Sequence, residues 1–304
     1  MDASPAPRVT TCYRHPAYET YVRCTRCDRF ICPSCMREAP VGHQCVECVK
    51  EGARSVRRPR TVFGGRISAV PAVTYALMTL NILAYLAELL RPALVDDFGA
   101  VGHGLVGPDG ARYLFDGEAY PGYGAEGIAY GEWYRLITSA FLHLPPGDGY
   151  FGVLHVLMNM YCLWQLGPAV ESVLGRSRFL GLYLLSALGG SVLVYLISPQ
   201  ELVVGASGAL FGLAGAYYVI SRRLGHDLRA ANRFLMIFLV WMLLSARFTS
   251  WEGHLGGLLA GGALTLAYAY APAKRRTLLH LGAGAAMLAL LVVLVLARTQ
   301  QLTA

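Results

Sequence analysis

Seven apolar runs, separated by polar and glycine-rich segments, dominate the chain after residue 68. They cover residues 70–90, 150–170, 179–197, 206–220, 233–246, 255–270 and 278–296. A helix of roughly 20 apolar residues crosses the hydrocarbon core of a bilayer, and shorter helices still fit inside a polytopic bundle. The pattern therefore predicts an all-α polytopic membrane protein with seven spans in contact with the lipid bilayer.

The first 50 residues show no such runs and are instead rich in closely spaced cysteine and histidine. Seven of the eight cysteines fall here, and the ligand candidates are Cys12 with His15, Cys24 with Cys27, Cys32 with Cys35, His43, and Cys45 with Cys48. Eight ligands suffice for two tetrahedral zinc ions. The alternative is a disulfide framework, which belongs to oxidising compartments. Because so short a segment can bury only a small hydrophobic core, metal binding would supply much of its folding free energy.

Charge is distributed so as to orient the spans. The chain carries a net charge of +7, and residues 1–66 hold 12 Lys and Arg against six Asp and Glu. Further basic residues follow the second, fourth and sixth runs, whereas residues 92–149 hold eight acidic residues and two arginines. These basic residues all fall on one side if the amino terminus is cytoplasmic and the carboxy terminus outside. They flank apolar segments, which argues against a nucleic-acid partner and for a plasma-membrane protein. No cleavable signal peptide is expected, because residues 1–11 lack an apolar core.

Polar groups at the starts of three predicted spans are the candidate chemistry. Ser207 lies in the stretch Gly205-Ala206-Ser207-Gly208, His254 precedes Gly257 and Gly261, and His155 and Asn159 are one helical turn apart. Glycines four residues apart also serve close helix packing, which is the structural alternative. Ionisable groups in membrane helices are costly, however, and three such helices favour a functional site.

These motifs, together with Glu132-Trp133-Tyr134-Arg135, resemble those of the rhomboid intramembrane serine proteases over residues 68–270. The resemblance implies a six-helix core at residues 68–271, and places residues 272–304 in an extra, peripheral transmembrane helix and tail. Residues 51–67 would be a basic linker along an anionic membrane face. Trp133 and Arg135 would belong to a structured first loop that braces the bundle.

For the chemistry, Ser207 is the predicted nucleophile and His254 the general base. The resemblance implies a dyad with no third acid, and a Phe211 ring packed under His254. The oxyanion would be met by the Ser207 N–H, His155 and Asn159. No cofactor is expected for catalysis.

The cysteine pattern resembles the B-box class of cross-braced zinc fingers, which implies interleaved ligands in a module at residues 1–50. One structural zinc ion would be held by Cys12, His15, Cys32 and Cys35, and the other by Cys24, Cys27, Cys45 and Cys48. His43 is a ninth candidate that could replace Cys45, and we rank it as a bystander. The module would have a docking role, either with a cytoplasmic protein partner or close to the lipid.

The predicted function is serine endopeptidase cleavage of single-span membrane proteins near the outer membrane face. The run that contains Ser207 supports that depth, because residues 205–220 form roughly 24 Å of helix against roughly 30 Å of hydrocarbon. The alternative is a catalytically inactive rhomboid-like protein that binds membrane clients. A transporter is a more distant alternative, and it would require charged residues at span centres.

Overall fold

The computed structural model describes residues 10–55, 60–115, 118, 120–146 and 150–304, which form two compact units divided after Pro59. Within the predicted basic linker, Arg57 and Arg58 lie outside the described residues. The division after Pro59 falls within the predicted linker at residues 51–67, and the bounds of the predicted module at residues 1–50 stay a prediction.

The amino-terminal unit is a chain of tight turns around its cysteines. Strand β1 (Met36–Glu38) pairs antiparallel with strand β2 (His43–Cys45), and helix α1 (Val46–Ser55) follows. Its buried cluster consists of Ile31 and six cysteines. With a single aliphatic side chain at its centre, this unit has too little apolar burial to explain its fold by the hydrophobic effect alone.

The second unit is a helical bundle with a folded loop after its first long helix. Its helices are α2 (Ala72–Leu90), α3 (Ala93–Phe98), α4 (Arg135–Thr138), α5 (Tyr150–Leu174), α6 (Arg176–Ile197), α7 (Ser207–Leu224), α8 (Leu228–Ser245), α9 (Trp251–Tyr270) and α10 (Arg276–Thr303). Each of the seven apolar runs lies wholly or mostly in a different long helix.

Among the described residues, four helical segments are long and apolar enough to cross a membrane: Ala72–Leu90, Arg176–Ile197, Leu228–Ser245 and Ala273–Thr303. Helices α5, α7 and α9 carry the polar and glycine motifs that lower their hydropathy. The protein is thus a mostly helical, multi-pass membrane protein, and the count of seven spans stays a prediction.

Helix α7 is the most enclosed helix of the bundle, and it lies against both α6 and α9. At the α7–α9 contact, a Cβ atom added to Gly257 would overlap the carbonyl oxygen of Gly208. A Cβ atom added to Gly212 would likewise overlap the Ser186 hydroxyl of α6. Small residues let membrane helices approach this closely. The glycines therefore have the packing role considered above, and they have it beside Ser207.

The loop between α2 and α5 is folded around a buried arginine. Its three-stranded antiparallel sheet has the order β4 (Arg112–Leu114), β3 (Gly104–Val106) and β5 (Gly124–Glu126), and residues 107–111 connect β3 to β4. The Arg135 side chain is 0% exposed and donates to the Glu132 carboxylate at 2.6 Å and to the Gly99 carbonyl oxygen at 3.0 Å. Its Nη2 atom lies 3.6 Å from the Glu126 carboxylate and has no hydrogen-bond partner among the described residues. Hydrogen bonds from one buried guanidinium to separate parts of a loop hold those parts together. Arg135 is therefore a brace inside the loop, whereas Trp133 is half exposed.

A buried carboxylate joins α2 to α5. Glu171 of α5 accepts hydrogen bonds from the backbone N–H groups of Val73 and Thr74 and from the Thr74 hydroxyl. These N–H groups belong to the first turn of α2, which has no partners within its own helix. Glu171 thus acts as a cap supplied by a neighbouring helix and fixes the position of α2 along α5.

Helix α10 is mostly exposed along its length, but polar contacts anchor its beginning. His280 is 4% exposed, and its Nδ1 accepts from Arg178 Nε of α6 at 2.7 Å. Its Nε2 lies 3.0 Å from the Tyr268 carbonyl oxygen of α9. The extra helix is therefore joined to the core by specific hydrogen bonds as well as by apolar contact.

Candidate active site

The backbone before α7 is tied to the first loop. Val203 and Ala100 exchange two backbone hydrogen bonds, and the Gly205 N–H donates to the Ser139 carbonyl oxygen at 2.9 Å. Gly205 has a φ of +132°, and a Cβ atom there would lie 2.8 Å from the His155 ring. Only glycine fits this backbone and this contact. The first loop thereby sets where α7, and Ser207 with it, begins.

Ser207 and His254 meet across the α7–α9 contact. The Ser207 Oγ lies 2.9 Å from His254 Nε2, and the His254 side chain is almost wholly buried. Ser250 caps α9 by accepting from the Gly253 N–H at 3.1 Å, which fixes the helical turn that carries His254. The separation is within the range for proton transfer from a serine to an imidazole.

Phe211, one turn after Ser207, supports the imidazole from below. The two rings are stacked with centroids 4.3 Å apart and an interplanar angle of 10°. Phe238 of α8 packs against Phe211 in turn, at 4.9 Å between centroids. This contact agrees with the expectation drawn from the family resemblance, and it holds the imidazole plane toward Ser207.

Within the described residues, no carboxylate completes a triad. His254 Nδ1 is buried and has no hydrogen-bond partner among them. Glu252, the acid nearest to His254 in the sequence, accepts instead from the Ser198 hydroxyl at 2.8 Å and the Ser250 hydroxyl at 3.0 Å. Its position stabilises the start of α9 and not the imidazole. Among the described residues, Ser207 and His254 therefore form a pair.

The predicted oxyanion donors lie around Ser207. His155 lines a cavity of about 370 Å³ together with Ser207 and His254, and its Nδ1 accepts from the Leu144 N–H at 3.5 Å. Asn159 lines a smaller apolar cavity of about 110 Å³ that also reaches Ser207. The Asn159 Nδ2 atom is buried and has no hydrogen-bond partner in the described part of the chain. An unpaired buried donor is costly, and such a group is often kept for function.

The larger cavity also has the polar lining that a hydrolytic site requires. Ser139, Ser191 and Thr249 are among its wall residues. A cavity of this size holds several water molecules, at roughly 30 Å³ each, where polar partners are present. Water, the second substrate of any hydrolysis, therefore has room beside Ser207 and His254.

Sequence reasoning missed the polar residues that support the pair. The Ser250 cap precedes an apolar run, and this signal could have revealed it. The Ser198–Glu252 hydrogen bond has no such signal, because its two residues are distant in the sequence and meet only in the fold.

The amino-terminal unit brings its predicted ligands into two clusters. In each, the ligand atoms lie within 4.8 Å of one another; the clusters are Cys12, His15, Cys32 and Cys35, and Cys24, Cys27, Cys45 and Cys48. His43 belongs to neither cluster. All eight cysteines of the chain are free thiols, so the disulfide alternative has no support in the structure.

The spacing within the clusters suits a tetrahedral metal ion. Bonds of about 2.3 Å to zinc would place two sulfur atoms about 3.8 Å apart. The Cys27 and Cys45 sulfur atoms are 3.8 Å apart, and His15 Nδ1 lies 3.2 Å from Cys32 Sγ and 3.4 Å from Cys35 Sγ. The donor set of seven sulfurs and one imidazole favours zinc over harder cations.

The thiol pKa values differ among the cysteines of the two clusters. Burial raises the pKa of Cys12 and of Cys24, but hydrogen bonds from backbone N–H groups outweigh it and lower each pKa to about 6. Cys35 shows the opposite result, since burial and the neighbouring thiols Cys12 and Cys32 raise its pKa to about 11. Thiolates are the metal-binding form. Each cluster therefore holds a thiol whose pKa is lowered before any cation binds, and a bound cation would favour ionisation of Cys35 as well.

The fold and the site together define a multi-pass helical membrane protein with a serine–histidine pair at a cavity that has room for several water molecules. The family model described as Rhomboid domain matches residues 130–271, which include Ser207, His254, His155 and Asn159. The chain is 36% identical over 140 residues to the putative rhomboid protease YdcA of Bacillus subtilis, covering 67% of that relative. The chain belongs to the rhomboid family.

Other relatives agree over the same part of the chain. The rhomboid protease GluP of Bacillus subtilis is 35% identical over 138 residues, which are 44% of this chain and 26% of GluP. The rhomboid-like protease 3 of Toxoplasma gondii is 32% identical over 142 residues, which are 44% of this chain and 51% of that protein. The chain thus spans from about a quarter to two thirds of the length of these relatives. The cysteine clusters lie before the matched domain.

Proposed function

We propose that the chain is an intramembrane serine endopeptidase in which Ser207 is the nucleophile and His254 the general base. One observation carries the proposal: Ser207 Oγ lies 2.9 Å from His254 Nε2, with the imidazole held on the Phe211 ring. Similarity to the rhomboid protease GluP and the putative rhomboid protease YdcA supports the reaction class.

In the proposed reaction the Ser207 oxygen attacks the carbonyl carbon of a peptide bond, and its proton passes to His254 Nε2. His254 then returns the proton to the leaving amine as the C–N bond breaks. A water molecule in the cavity beside the pair next attacks the acyl-enzyme, giving up its proton to His254. Release of the new carboxyl group restores the Ser207 hydroxyl.

The negative charge on the carbonyl oxygen would be stabilised by Asn159, His155 and the Ser207 N–H. The unpartnered, buried Nδ2 of Asn159 supports this role. A donor of this kind is worth about 3 kcal/mol of transition-state stabilisation. Asn159 is therefore a catalytic residue in the proposed mechanism.

The proposed topology has seven spans, a cytoplasmic amino terminus and an outer carboxy terminus in the plasma membrane. The acidic first loop would then be outside, together with the beginnings of α5, α7 and α9, which carry the site. The distribution of arginines supports this orientation.

The proposed substrates are single-span membrane proteins, cut near the outer boundary of the membrane. A helical substrate must first unwind, and unpaired backbone groups in hydrocarbon cost several kcal/mol each. The substrate helix should therefore unwind where the cavity that can hold water meets Ser207. We expect cleavage at small residues near helix-breaking Gly or Pro, and slower turnover when those breakers are replaced by Leu. Mass spectrometry of the products tests this, and a cut at the cytoplasmic boundary would refute it.

For the amino-terminal unit we propose two structural zinc ions and a role in docking a cytoplasmic protein. Two four-ligand clusters support the stoichiometry. Closed four-ligand sites leave no open coordination position, so the zinc would stabilise the fold and take no part in hydrolysis.

The decisive experiment removes the pair one residue at a time. Ser207→Ala and His254→Ala should each abolish cleavage of a single-span substrate in detergent while leaving the unfolding temperature near that of the parent protein. The matched control is Ser191→Ala, which alters a serine of the same cavity that the mechanism does not use. Near-normal cleavage by either variant of the pair would refute the assignment. If the folded parent protein binds such substrates but leaves them intact, the client-binding alternative is correct.

A further inference from the structure

Three arginine side chains from distant parts of the chain converge on Gly64. Arg60 Nη1 donates to the Gly64 carbonyl oxygen at 3.5 Å. Arg178 Nη2 of α6 and Arg276 Nη1 of α10 each lie 3.6 Å from the point where a Gly64 Cβ atom would lie. Arg178 Nη2 and Arg276 Nη1 are therefore separated by no more than twice 3.6 Å. The Arg60 guanidinium contacts the same residue, Gly64.

The segment that carries Gly64 is held firmly against the bundle. Phe63 is 2% exposed within the main core cluster, and the Gly65 N–H donates to the Thr61 hydroxyl at 2.9 Å. A Cβ atom at Gly65 would overlap the Leu174 carbonyl oxygen at the end of α5. The Arg178 guanidinium is oriented by its bond to the buried His280. The arginines therefore converge because the fold holds them there.

This group of arginines has no counter-charge in the described part of the chain. None of the ion pairs among the described residues involves Arg60, Arg178 or Arg276. The Arg276 Nε atom is buried and has no hydrogen-bond partner among those residues. Glu171, an acid near the same end of α5, already accepts from the start of α2. Close like charges repel, and an unpaired buried donor is costly. A bound anion would reduce the repulsion between the arginines and give the unpaired donor a partner.

We propose that Arg60, Arg178 and Arg276 bind the phosphate group of an anionic phospholipid. Guanidinium groups match phosphate oxygens with paired, charge-assisted hydrogen bonds. The cluster lies where the candidate spans α6 and α10 begin, the depth at which lipid phosphates lie. On the same two helices, Leu180 is 38% exposed and Leu278 is 70% exposed, and acyl chains would cover these side chains. A free phosphate ion would leave them uncovered.

The test uses the full chain and a variant that leaves contacts between helices in place. Arg60→Gln with Arg276→Gln removes two charges of the cluster and breaks none of the hydrogen bonds that join α10 to the core. The matched control is Lys274→Gln with Arg275→Gln, which removes two charges beside the same helix end. Native mass spectrometry of detergent-purified protein, supplemented with phosphatidylglycerol, phosphatidylcholine or inorganic phosphate, measures what stays bound.

The parent protein and the control variant should retain one phosphatidylglycerol, and the Arg60/Arg276 variant should retain it at least about tenfold less well. Equal loss in both variants would mean a diffuse surface charge, and it would overturn the site. Retention of phosphatidylcholine to the same degree would overturn the need for an anion. Displacement of the lipid by millimolar inorganic phosphate would overturn the proposal that the bound phosphate group belongs to a lipid. Because cleavage activity is not measured, failure here is separate from failure of the proposed reaction.

Discussion

The contact between α7 and α9 makes a quantitative prediction about Gly257. An alanine there would place its methyl group against the Gly208 carbonyl oxygen, which lies one residue after the nucleophile. Relief of that overlap needs the two helices to separate by more than about 1 Å, because a backbone oxygen has no other rotamer to adopt. Ser207 and His254 lie on these two helices, 2.9 Å apart, so the same separation would break their hydrogen bond.

Two magnitudes follow from this geometry. Overpacking of a close contact costs about 1–3 kcal/mol of stability. A misplacement of about 1 Å between reacting groups lowers the rate by roughly 100-fold. We therefore expect Gly257→Ala to remain folded with a lowered unfolding temperature, and to lose most of its activity. Activity should suffer far more than stability.

The matched control is Gly262→Ala, on the same helix, where an added Cβ atom would meet no heavy atom within 4 Å. This variant should keep both its activity and its unfolding temperature, because alanine favours helix more than glycine does. The assay is cleavage of a fluorogenic single-span substrate in detergent, with thermal unfolding of the same samples. Parental activity in Gly257→Ala, or equal damage in the control, would refute the reasoning.

Two further predictions concern the oxyanion donors and the metal clusters. Asn159→Ala should lower kcat by roughly 100-fold with little change in KM, because the lost donor acts on the transition state. The control Asn81→Ala removes a buried amide that donates to the Leu77 carbonyl oxygen, and it should lower stability instead. If it lowered kcat as much as Asn159→Ala does, the proposed catalytic role of Asn159 would be contradicted. Elemental analysis of the full chain should find two zinc ions, one after Cys24→Ser and still two after His43→Ala. One ion or none in the parent chain would exclude the two-site arrangement.

The apolar runs located the helices well but not where each one starts. The run at 233–246 belongs to a helix that begins at Leu228, and the run at 255–270 to one that begins at Trp251. Charged and small residues at a helix start continue its hydrogen bonding without adding hydropathy. This is why the apolar run begins one residue after His254, although His254 lies in the first turn of α9.

The short strands in the first loop could not be predicted in the same way. Each has three residues in a glycine-rich stretch, which is too short to show an alternating pattern. Their pairing, and that of Ala100 with Val203, depends on residues far apart in the sequence.

Sequence motifs identify Ser207 and His254 as candidates, but only the fold shows how far apart the two side chains lie. Ser207 and His254 are 47 residues apart, and their separation depends on two glycines that let α7 and α9 approach. Sequence patterns indicate that such glycines exist but not which carbonyl each one faces. The same holds for Arg178 and His280, whose bond joins residues 102 positions apart.

The hairpin between β3 and β4 offers a practical consequence for experiments on the intact protein. Its tip holds Gly110, which has a φ of +76° and no heavy atom within 4 Å of an added Cβ. The Gly107 N–H donates to the Ala111 carbonyl oxygen at 2.8 Å and closes the hairpin below that tip. A short epitope grafted at the tip would leave the Ala100–Val203 pairing untouched. Antibody access in sealed vesicles would then report the side of the membrane on which this loop lies in the folded protein.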